Sequence, residues 1–289
     1  MINNVEEKWF KVSYKGWMIL VVIIILLFYG GIFIIRMTPF FNDPEVACYD
    51  VENEGIPKFL DAHFTEMDKI EYIKRFRSAY GMEFSDDLEE CRIMKHTFIP
   101  FEEYWLDKEV KVYSPVNGTI TSIGYSFLNS SGTWNEYQSN IATIIKIQPS
   151  EYKAFTIIIK FVDIRDMGLY HGLQVSAGQH IGYACLRYVN KVTKLPAFNI
   201  AVEVNMCPSG TKMLSYFDII TDYVFQYYKD HGANSREDFI ISKEERDKDP
   251  LICVFDHEVG YCIYDKGNIP NWVYLGNSPS DFKIVYDYS

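Results

Sequence analysis

The chain has 289 residues, of which 48% are hydrophobic and 16% aromatic, and its formal net charge is −11. This apolar content excludes intrinsic disorder, and the length fits one domain with additions or two small domains. The negative charge argues against partners such as nucleic acid and anionic lipid surfaces, because phosphates would repel the chain.

An uncharged apolar run extends from Trp17 to Ile35. At about 1.5 Å per residue it spans about 28 Å, close to the thickness of a bilayer's hydrocarbon core. Three lysines precede the run, and only Arg36 follows it closely. This bias predicts a single-pass membrane helix over residues 17–36, with residues 1–16 in the cytoplasm and the rest outside the cell membrane. The alternative, a cleaved signal peptide, would have a shorter apolar region of about 7–15 residues ending in small residues.

All six cysteines follow the apolar run. An even number of cysteines in a domain outside the cytoplasm predicts disulfides, and the lack of C-x-x-C spacing argues against a structural zinc site. Cys253 and Cys262 flank a segment typical of two short strands around a turn, so we expect them to pair. The pairing of the other four cysteines stays open, and reduced cysteines in the core are the alternative.

Helical patterns lie on both sides of the middle of the chain. In residues 37–109, which are otherwise irregular, apolar spacing predicts a helix over 65–80, and acidic residues predict a second helix from Ser85 to Met94. Residues 206–250 form a predicted helical segment with two parts. These are an amphipathic helix over 214–231 and a short charged helix that starts with a capping box at Ser242.

Period-two patterns begin at Val110. They predict strands at 110–114, 119–123, 141–147, 155–161, 180–184 and 198–204, and a C-terminal β extension over 251–289. Pro115–Gly118 is a turn signal between the first two strands. Short strands without helices between them are typical of a mainly β fold, here a small antiparallel sandwich or barrel with flanking helices.

Three segments carry a family resemblance: VYSPVNGTITSIG (112–124), GLQVSAGQHIGYA (172–184) and FNIAVEV (198–204). In order and spacing they resemble the β domain of M23 metallopeptidases, the LytM-like peptidoglycan endopeptidases, over residues 110–205. Lipoyl-type domains share this small fold. With HTFIPFEEYW (96–105) and FIISKEERDKDPL (239–251), the chain is also similar to membrane-anchored M23-like proteins of archaea. That second resemblance implies a fold but does not indicate an activity.

The M23 resemblance implies a zinc site whose ligands are mostly missing. In the family a His, an Asp and the second His of an H-x-H strand hold the metal, and a further His assists the bound water. Asn199 and Ala201 stand at the H-x-H positions, and Asp163 stands where the assisting His is expected. His96 matches the first ligand, but Pro100 occupies the position of the Asp. The resemblance therefore implies the fold without the peptidase mechanism.

A rebuilt metal site is the alternative, and its candidate ligands are the polar residues near the former cleft. They are His96, Asp163 and Glu203, together with Glu102, Glu103 and Asn199. The competing interpretation is that His96 opens a loop and that Glu203 serves the structure. We predict no cofactor: no other enzyme motif occurs, and the hairpin tip Ser176–Gly178 lacks the lysine of a lipoyl carrier.

The sequence as a whole predicts a non-catalytic, membrane-anchored binding or assembly domain outside the cytoplasm. The expected partners are the membrane itself and other membrane or envelope proteins. The competing hypothesis is a metal-dependent endopeptidase or other hydrolase with a rebuilt metal site.

Overall fold

The computed structural model describes residues 47–79, 81–105, 109–126, 142–186, 196–256, 261–264, 267–276 and 278–286. The membrane helix predicted over 17–36 lies outside these residues. Within the described ranges, no helix has the length and apolar character needed to cross a membrane.

The described residues form fifteen strands and four short α-helices. The strands are β1 (Ile70–Lys74), β2 (Gly81–Met82), β3 (His96–Pro100), β4 (Lys111–Tyr113), β5 (Gly118–Ser126), β6 (Ala142–Pro149), β7 (Phe155–Asp163), β8 (Gln174–Val175), β9 (His180–Ala184), β10 (Phe198–Asn205), β11 (Thr211–Leu214), β12 (Cys253–Asp256), β13 (Tyr261–Tyr264), β14 (Trp272–Tyr274) and β15 (Lys283–Val285). The helices are α1 (Val51–Glu54), α2 (Tyr216–Ile219), α3 (Asp222–Asp230) and α4 (Lys243–Lys248). Single 3-10 turns occupy Met67–Lys69, Glu102–Tyr104, Arg236–Phe239 and Pro279–Asp281.

Most of the strands belong to one antiparallel sheet. In the described part of the chain it has 12 strands, ordered β15-β14-β1-β3-β10-β7-β6-β5-β8, with β11 on β10 and β9 joining β4 to β7. A separate sheet has the order β12-β13-β2. The mainly β, antiparallel architecture with few helices agrees with the predicted fold class and is consistent with a β-sandwich.

The central strands bury apolar side chains on one face and carry more polar, less buried side chains on the other. In β6, Ile145 and Ile147 are fully buried, whereas Lys146 between them is half-buried. Because successive side chains in a strand point to opposite faces, the isoleucines enter the main core and Lys146 faces the other way. β-branched residues fit this pleated arrangement well.

Helices α2 and α3 cover the core face of the sheet with aromatic side chains. Phe217 of α2 stacks on Phe239 with ring centroids 3.8 Å apart, and it meets Tyr228 of α3 edge to face at 4.9 Å. Phe64, from the segment before β1, contacts Phe98 of β3 at 4.6 Å. All five rings are buried and belong to one large hydrophobic cluster.

The helix predictions need correction at three places. The helix predicted over 65–80 is absent from its described residues, 65–79, where a single 3-10 turn leads directly into β1. Residues 85–94 contain turns and bends in place of the predicted second helix. The helix predicted over 214–231 is two helices: β11 ends at Leu214, and extended backbone at Ile220 separates α2 from α3. Thus strand β1 occupies the middle of the first segment that was predicted to be helical.

The strand predictions hold better, with one error of pairing. A strand occurs at each of the six predicted places and again in the C-terminal extension. The first two, β4 and β5, were expected to pair around Pro115–Gly118. Instead β4 pairs with β9, and β5 pairs with β6 and β8. The capping box at Ser242 is confirmed, because its side chain accepts from Glu245 N at the start of α4.

Two disulfides stabilise the fold. The predicted pair Cys253–Cys262 is confirmed and links β12 to β13 with Cα atoms 5.1 Å apart. A second disulfide, Cys48–Cys207, joins the start of the described chain to the turn between β10 and β11 across a sequence separation of 159. No pattern around Cys48 or Cys207 favoured this second pair over the alternatives.

Candidate functional site

His96 lies in the core and not in a cleft. Its side chain is fully buried at the start of β3, with the ring of Phe217 4.9 Å away. Nδ1 lies 3.0 Å from the carbonyl oxygen of Lys74, and Nε2 lies 2.8 Å from the hydroxyl of Ser215. A carbonyl can only accept, so Nδ1 carries the proton and Nε2 accepts from Ser215.

The hydrogen bonds of His96 continue into α2. Ser215 is the N-cap of α2, and its hydroxyl accepts from the backbone N–H of Phe217 at 3.1 Å. One chain of hydrogen bonds therefore runs from Lys74 through His96 to the first turn of the helix. Burial lowers the pKa of His96 to about 3, so the imidazole is neutral at physiological pH. His96 serves to join β1, β3 and α2.

The other positions that the M23 resemblance singled out hold structural side chains. Pro100 ends β3, and its carbonyl accepts from the indole of Trp105 at 2.8 Å. Ala201 is buried in a small apolar cluster with Ile158 and Met213. Asn199 is buried beside it in β10, and its Oδ1 accepts from the hydroxyl of Thr97 at 2.5 Å.

The remaining candidate ligands are scattered. Asp163 ends β7 and forms an ion pair with Arg165, and Glu203 lies in β10 opposite Thr156 and Met213. Glu102 and Glu103 are exposed on the 3-10 turn after β3. Among the residues that the structure describes, no group of three or more His, Cys, Asp or Glu side chains is arranged to hold a metal ion.

Asn199 and Ala201 face away from the main core, on what we call the second face of the main sheet. Residue pairing places Asn199 between Thr97 of β3 and Lys160 of β7, and Ala201 next to Ile158. His96 follows the opposite alternation and points into the main core. The positions that the M23 resemblance would assign to one zinc site thus lie on opposite faces of one sheet.

Residues 83–94, which we call the covering segment, lie against the second face. The ring of Phe84 and the side chain of Met94 belong to the same apolar cluster as Ala201. Asp86 accepts from Met213 N at 2.7 Å, and Asp87 accepts from Thr211 N at 2.7 Å. These hydrogen bonds fasten the covering segment to β11.

An ion pair fastens the centre of the covering segment. Glu89 forms two hydrogen bonds with Arg77, at 2.6 and 2.9 Å, and both side chains are largely buried. The paired Arg77 holds the pKa of Glu89 below its usual value, although burial acts in the opposite direction as the largest single influence.

Lysines on the second face were not identified as functional residues from the sequence. Lys95 is 7% exposed, and Lys160 is half-buried. Their ammonium nitrogens lie 5.1 and 4.2 Å from the centroid of the Phe84 ring. The alternation of side chains along β7 and β10 is the sequence signal that could have placed Lys160 beside Asn199. The position of the covering segment over both lysines is known only from the fold.

Comparison with known proteins gives low similarity. No family model matches the chain, and no curated protein matches it. Among solved structures, Helicobacter pylori Csd3 in its orthorhombic and hexagonal crystals overlaps 55% and 61% of this chain, at 13% identity and a TM-score of 0.30. The solution structure of lysostaphin overlaps 47% of it at 16% identity and a TM-score of 0.26.

The chain spans 37%, 40% and 51% of the lengths of those three structures. Overlaps of this size and identity do not define a family. The class that the described residues define is a mainly β domain with a large antiparallel sheet and two disulfides.

Proposed function

We propose that this chain is a non-catalytic binding or assembly domain, built on an M23-like β fold and held outside the cytoplasm by the helix predicted over 17–36. The observation that carries the proposal is the bonding of His96, the one residue that matches a zinc ligand of the family. A zinc-binding imidazole must offer a nitrogen lone pair to the metal. Here Nδ1 bears the proton and Nε2 accepts from Ser215.

The neighbouring positions support the same conclusion. A catalytic zinc site needs about three protein ligands and one open position for water. Pro100 and Ala201 have no donor atom in their side chains, and the Oδ1 atom of Asn199 is bonded to Thr97. Rebuilding a site from Asp163 and Glu203 would require groups from the ends of different strands to converge.

The proposed partners are other membrane or envelope proteins, or a wall glycan. The predicted anchor would keep the domain close to the membrane surface, where such partners are concentrated. The disulfides suit this location, because disulfides persist in oxidising compartments. An accessory subunit of an envelope complex is consistent with a domain that has the β-sheet but whose residues at the M23 ligand positions contribute to packing.

Metal analysis of the purified full chain tests the proposal. After dialysis against a mild chelator we expect well under one zinc per chain and no cleavage of peptidoglycan cross-bridge peptides. About one zinc per chain, with cleavage that a strong chelator abolishes and added zinc restores, would establish the hydrolase instead. This design needs no substitution at His96, whose loss would disturb the fold.

Cross-linking in intact cells tests the assembly role separately. Affinity purification of the cross-linked chain is expected to recover discrete envelope proteins in comparable amounts. Recovery of cytoplasmic proteins alone, under conditions in which a known envelope complex is captured, would contradict the proposed location and role.

A further inference from the structure

The second face of the main sheet holds a cluster of hydrogen-bond donors. Thr97, Asn199 and Lys160 are consecutive cross-strand neighbours on β3, β10 and β7. Lys95 lies just before β3, and its ammonium group lies over the ring of Phe84, as that of Lys160 does. The Thr97 hydroxyl donates to Oδ1 of Asn199, which leaves the amide NH₂ of Asn199 as a further donor.

Phe84 of the covering segment brings the two lysines together. The ammonium groups of Lys95 and Lys160 both lie against its ring, at 5.1 and 4.2 Å from the centroid. An aromatic ring attracts one cation, but it cannot neutralise two that also repel each other. The cluster therefore carries more positive charge than its surroundings balance.

The charges acting on these lysines are themselves positive. Burial holds the pKa of Lys95 well below its usual value, and Lys160 and Lys74 add to this effect. Burial and Lys146 lower the pKa of Lys160 to about 8. Burial and then Arg246 lower the pKa of Lys74 to about 7. Among the residues that the structure describes, no carboxylate contributes to the shifts of Lys95 and Lys160.

Buried charges without partners are costly, so such a cluster calls for a compensating anion. We propose that Lys95, Lys160 and the amide of Asn199 bind a phosphate-type oxyanion on the second face, beside the ring of Phe84. Lysine is a common phosphate ligand that acts as a point charge, and a divalent oxyanion would neutralise two ammonium groups. The half-buried Lys160 and Phe84 mark the side from which the anion would enter.

This site inverts the chemistry implied by the M23 resemblance. A zinc site presents lone pairs to a cation, whereas this face presents N–H donors to an anion. The inference does not depend on the proposed assembly role, because phosphate binding would hold for a domain with or without a protein partner.

Thermal unfolding of the full chain in detergent tests the proposal. Inorganic phosphate is titrated against sodium chloride at constant ionic strength. A ligand that binds only the folded chain raises its melting temperature with concentration, by several degrees at about 100 times Kd. We expect this rise in the wild-type chain and at least a tenfold weaker response in Lys160→Met and Lys95→Met.

Lys153→Met is the matched control. Lys153 is exposed on the turn between β6 and β7, so this variant makes the same change of net charge away from the site. It should respond to phosphate like the wild-type chain. Without phosphate, Lys160→Met should melt at or above the wild-type temperature, because it removes a half-buried cation that repels Lys95. The proposal would be overturned if all variants responded equally to phosphate, or if phosphate raised the melting temperature no more than sodium chloride does.

Chemical modification gives a second readout that does not require a variant to fold. Mass spectrometry would map acylation of the half-buried Lys160 in the wild-type chain, and phosphate should protect this residue while the exposed Lys153 stays unprotected. The same measurement is repeated with glycerol phosphate and with phosphatidic acid micelles, and stronger protection by the micelles would identify a lipid headgroup as the source of the phosphate. Acylation of Lys160 unchanged by every phosphate compound would refute the site.

Discussion

At the level of single residues, His96 shows that a match to a sequence motif can coincide with a purely structural role. The same imidazole that matches a zinc ligand in sequence joins β1 and β3 to the N-cap of α2. Its neutral form is maintained by burial among aromatic rings. Matching the family motif could identify the residue but not the direction of its lone pair, which the tertiary structure determines.

Replacing His96 by alanine should destabilise the protein strongly. The change opens a cavity and leaves the carbonyl of Lys74 and the hydroxyl of Ser215 without their partner. We expect a loss of about 3 kcal/mol or more in the free energy of unfolding, measured by urea denaturation. His171→Ala on the exposed turn after β7 should stay within about 0.5 kcal/mol. A His96→Ala variant as stable as this control would contradict the structural role.

Histidines that stay neutral in the folded chain should make its stability fall in acid. Burial lowers the pKa of His63 to about 4, against the tyrosine rings of α3, and that of His96 to about 3. Both pKa values lie below the value of about 6.5 in the unfolded chain. At a pH between the folded and unfolded pKa values, the unfolded chain therefore binds more protons than the folded chain. The stabilisation is therefore complete above about pH 6.5 and is lost as the pH falls towards 4.

Comparison with His63→Gln isolates one part of this effect. Carboxylates also titrate in acid, so the informative quantity is the difference between variant and wild type. Between pH 7 and pH 4.5 the wild-type chain should lose about 1–2 kcal/mol more unfolding free energy than His63→Gln. Equal losses in the two proteins would show that His63 does not stay neutral in the folded state.

At the level of elements, the strand predictions succeeded where the chain alternates regularly and failed where it is irregular. Ile70 and Ile73 suggested a helix because they are three residues apart. In β1 the register shifts between Ile70 and Tyr72, so a bulge places residues of helical spacing on one face of a strand. Local periodicity cannot distinguish these two structures.

The predicted helix over 85–94 failed for a different reason. Asp86 and Asp87 suggested the acidic first turn of a helix, but both carboxylates accept from backbone N–H groups of β11, at Met213 and Thr211. Asp86 also accepts from the backbone N–H of Leu88, as in a local turn. These acceptors serve a strand more than 120 residues away in sequence, and a local pattern carries no information about it.

The two disulfides should differ in how much they stabilise the fold. Cys48–Cys207 closes a sequence separation of 159, and Cys253–Cys262 closes one of 9. The entropy lost by the unfolded chain grows with loop length, so the double alanine variants should lose about 4–5 and about 2–3 kcal/mol respectively. Urea denaturation measures both losses.

Reduction of the wild-type chain provides the matching control. The two bridges share no residues, so reduction of both should cost about the combined loss of the two double variants, within about 0.5 kcal/mol. A larger loss for Cys253→Ala/Cys262→Ala than for Cys48→Ala/Cys207→Ala would contradict the loop-length argument.

At the level of the whole molecule, the sequence could indicate the composition of the site but not its arrangement. The order of strands along 110–205 was predictable because each carries its own alternation. The neighbours of β10 on its other pairings were not, since β3 and β7 reach it from separate, earlier parts of the chain. The same pairings bring Lys160 to Asn199 and separate His96 from Ala201. The sequence therefore indicated which residues stand at the M23 ligand positions. The fold shows which side chains those residues contact.

We expect the domain to lie on the outer side of the membrane. The excess of lysine before the apolar run Trp17–Ile35 predicts that residues after it are exported. Two disulfides in the described chain fit that side, because the cytoplasm keeps most thiols reduced. Protease added to spheroplasts should therefore digest the domain while a cytoplasmic control protein stays intact. Thiol alkylation before lysis should leave Cys48, Cys207, Cys253 and Cys262 unlabelled until a reductant is added. Protection of the domain from protease, together with immediate labelling of these cysteines on lysis, would place it in the cytoplasm and remove the basis for an envelope partner.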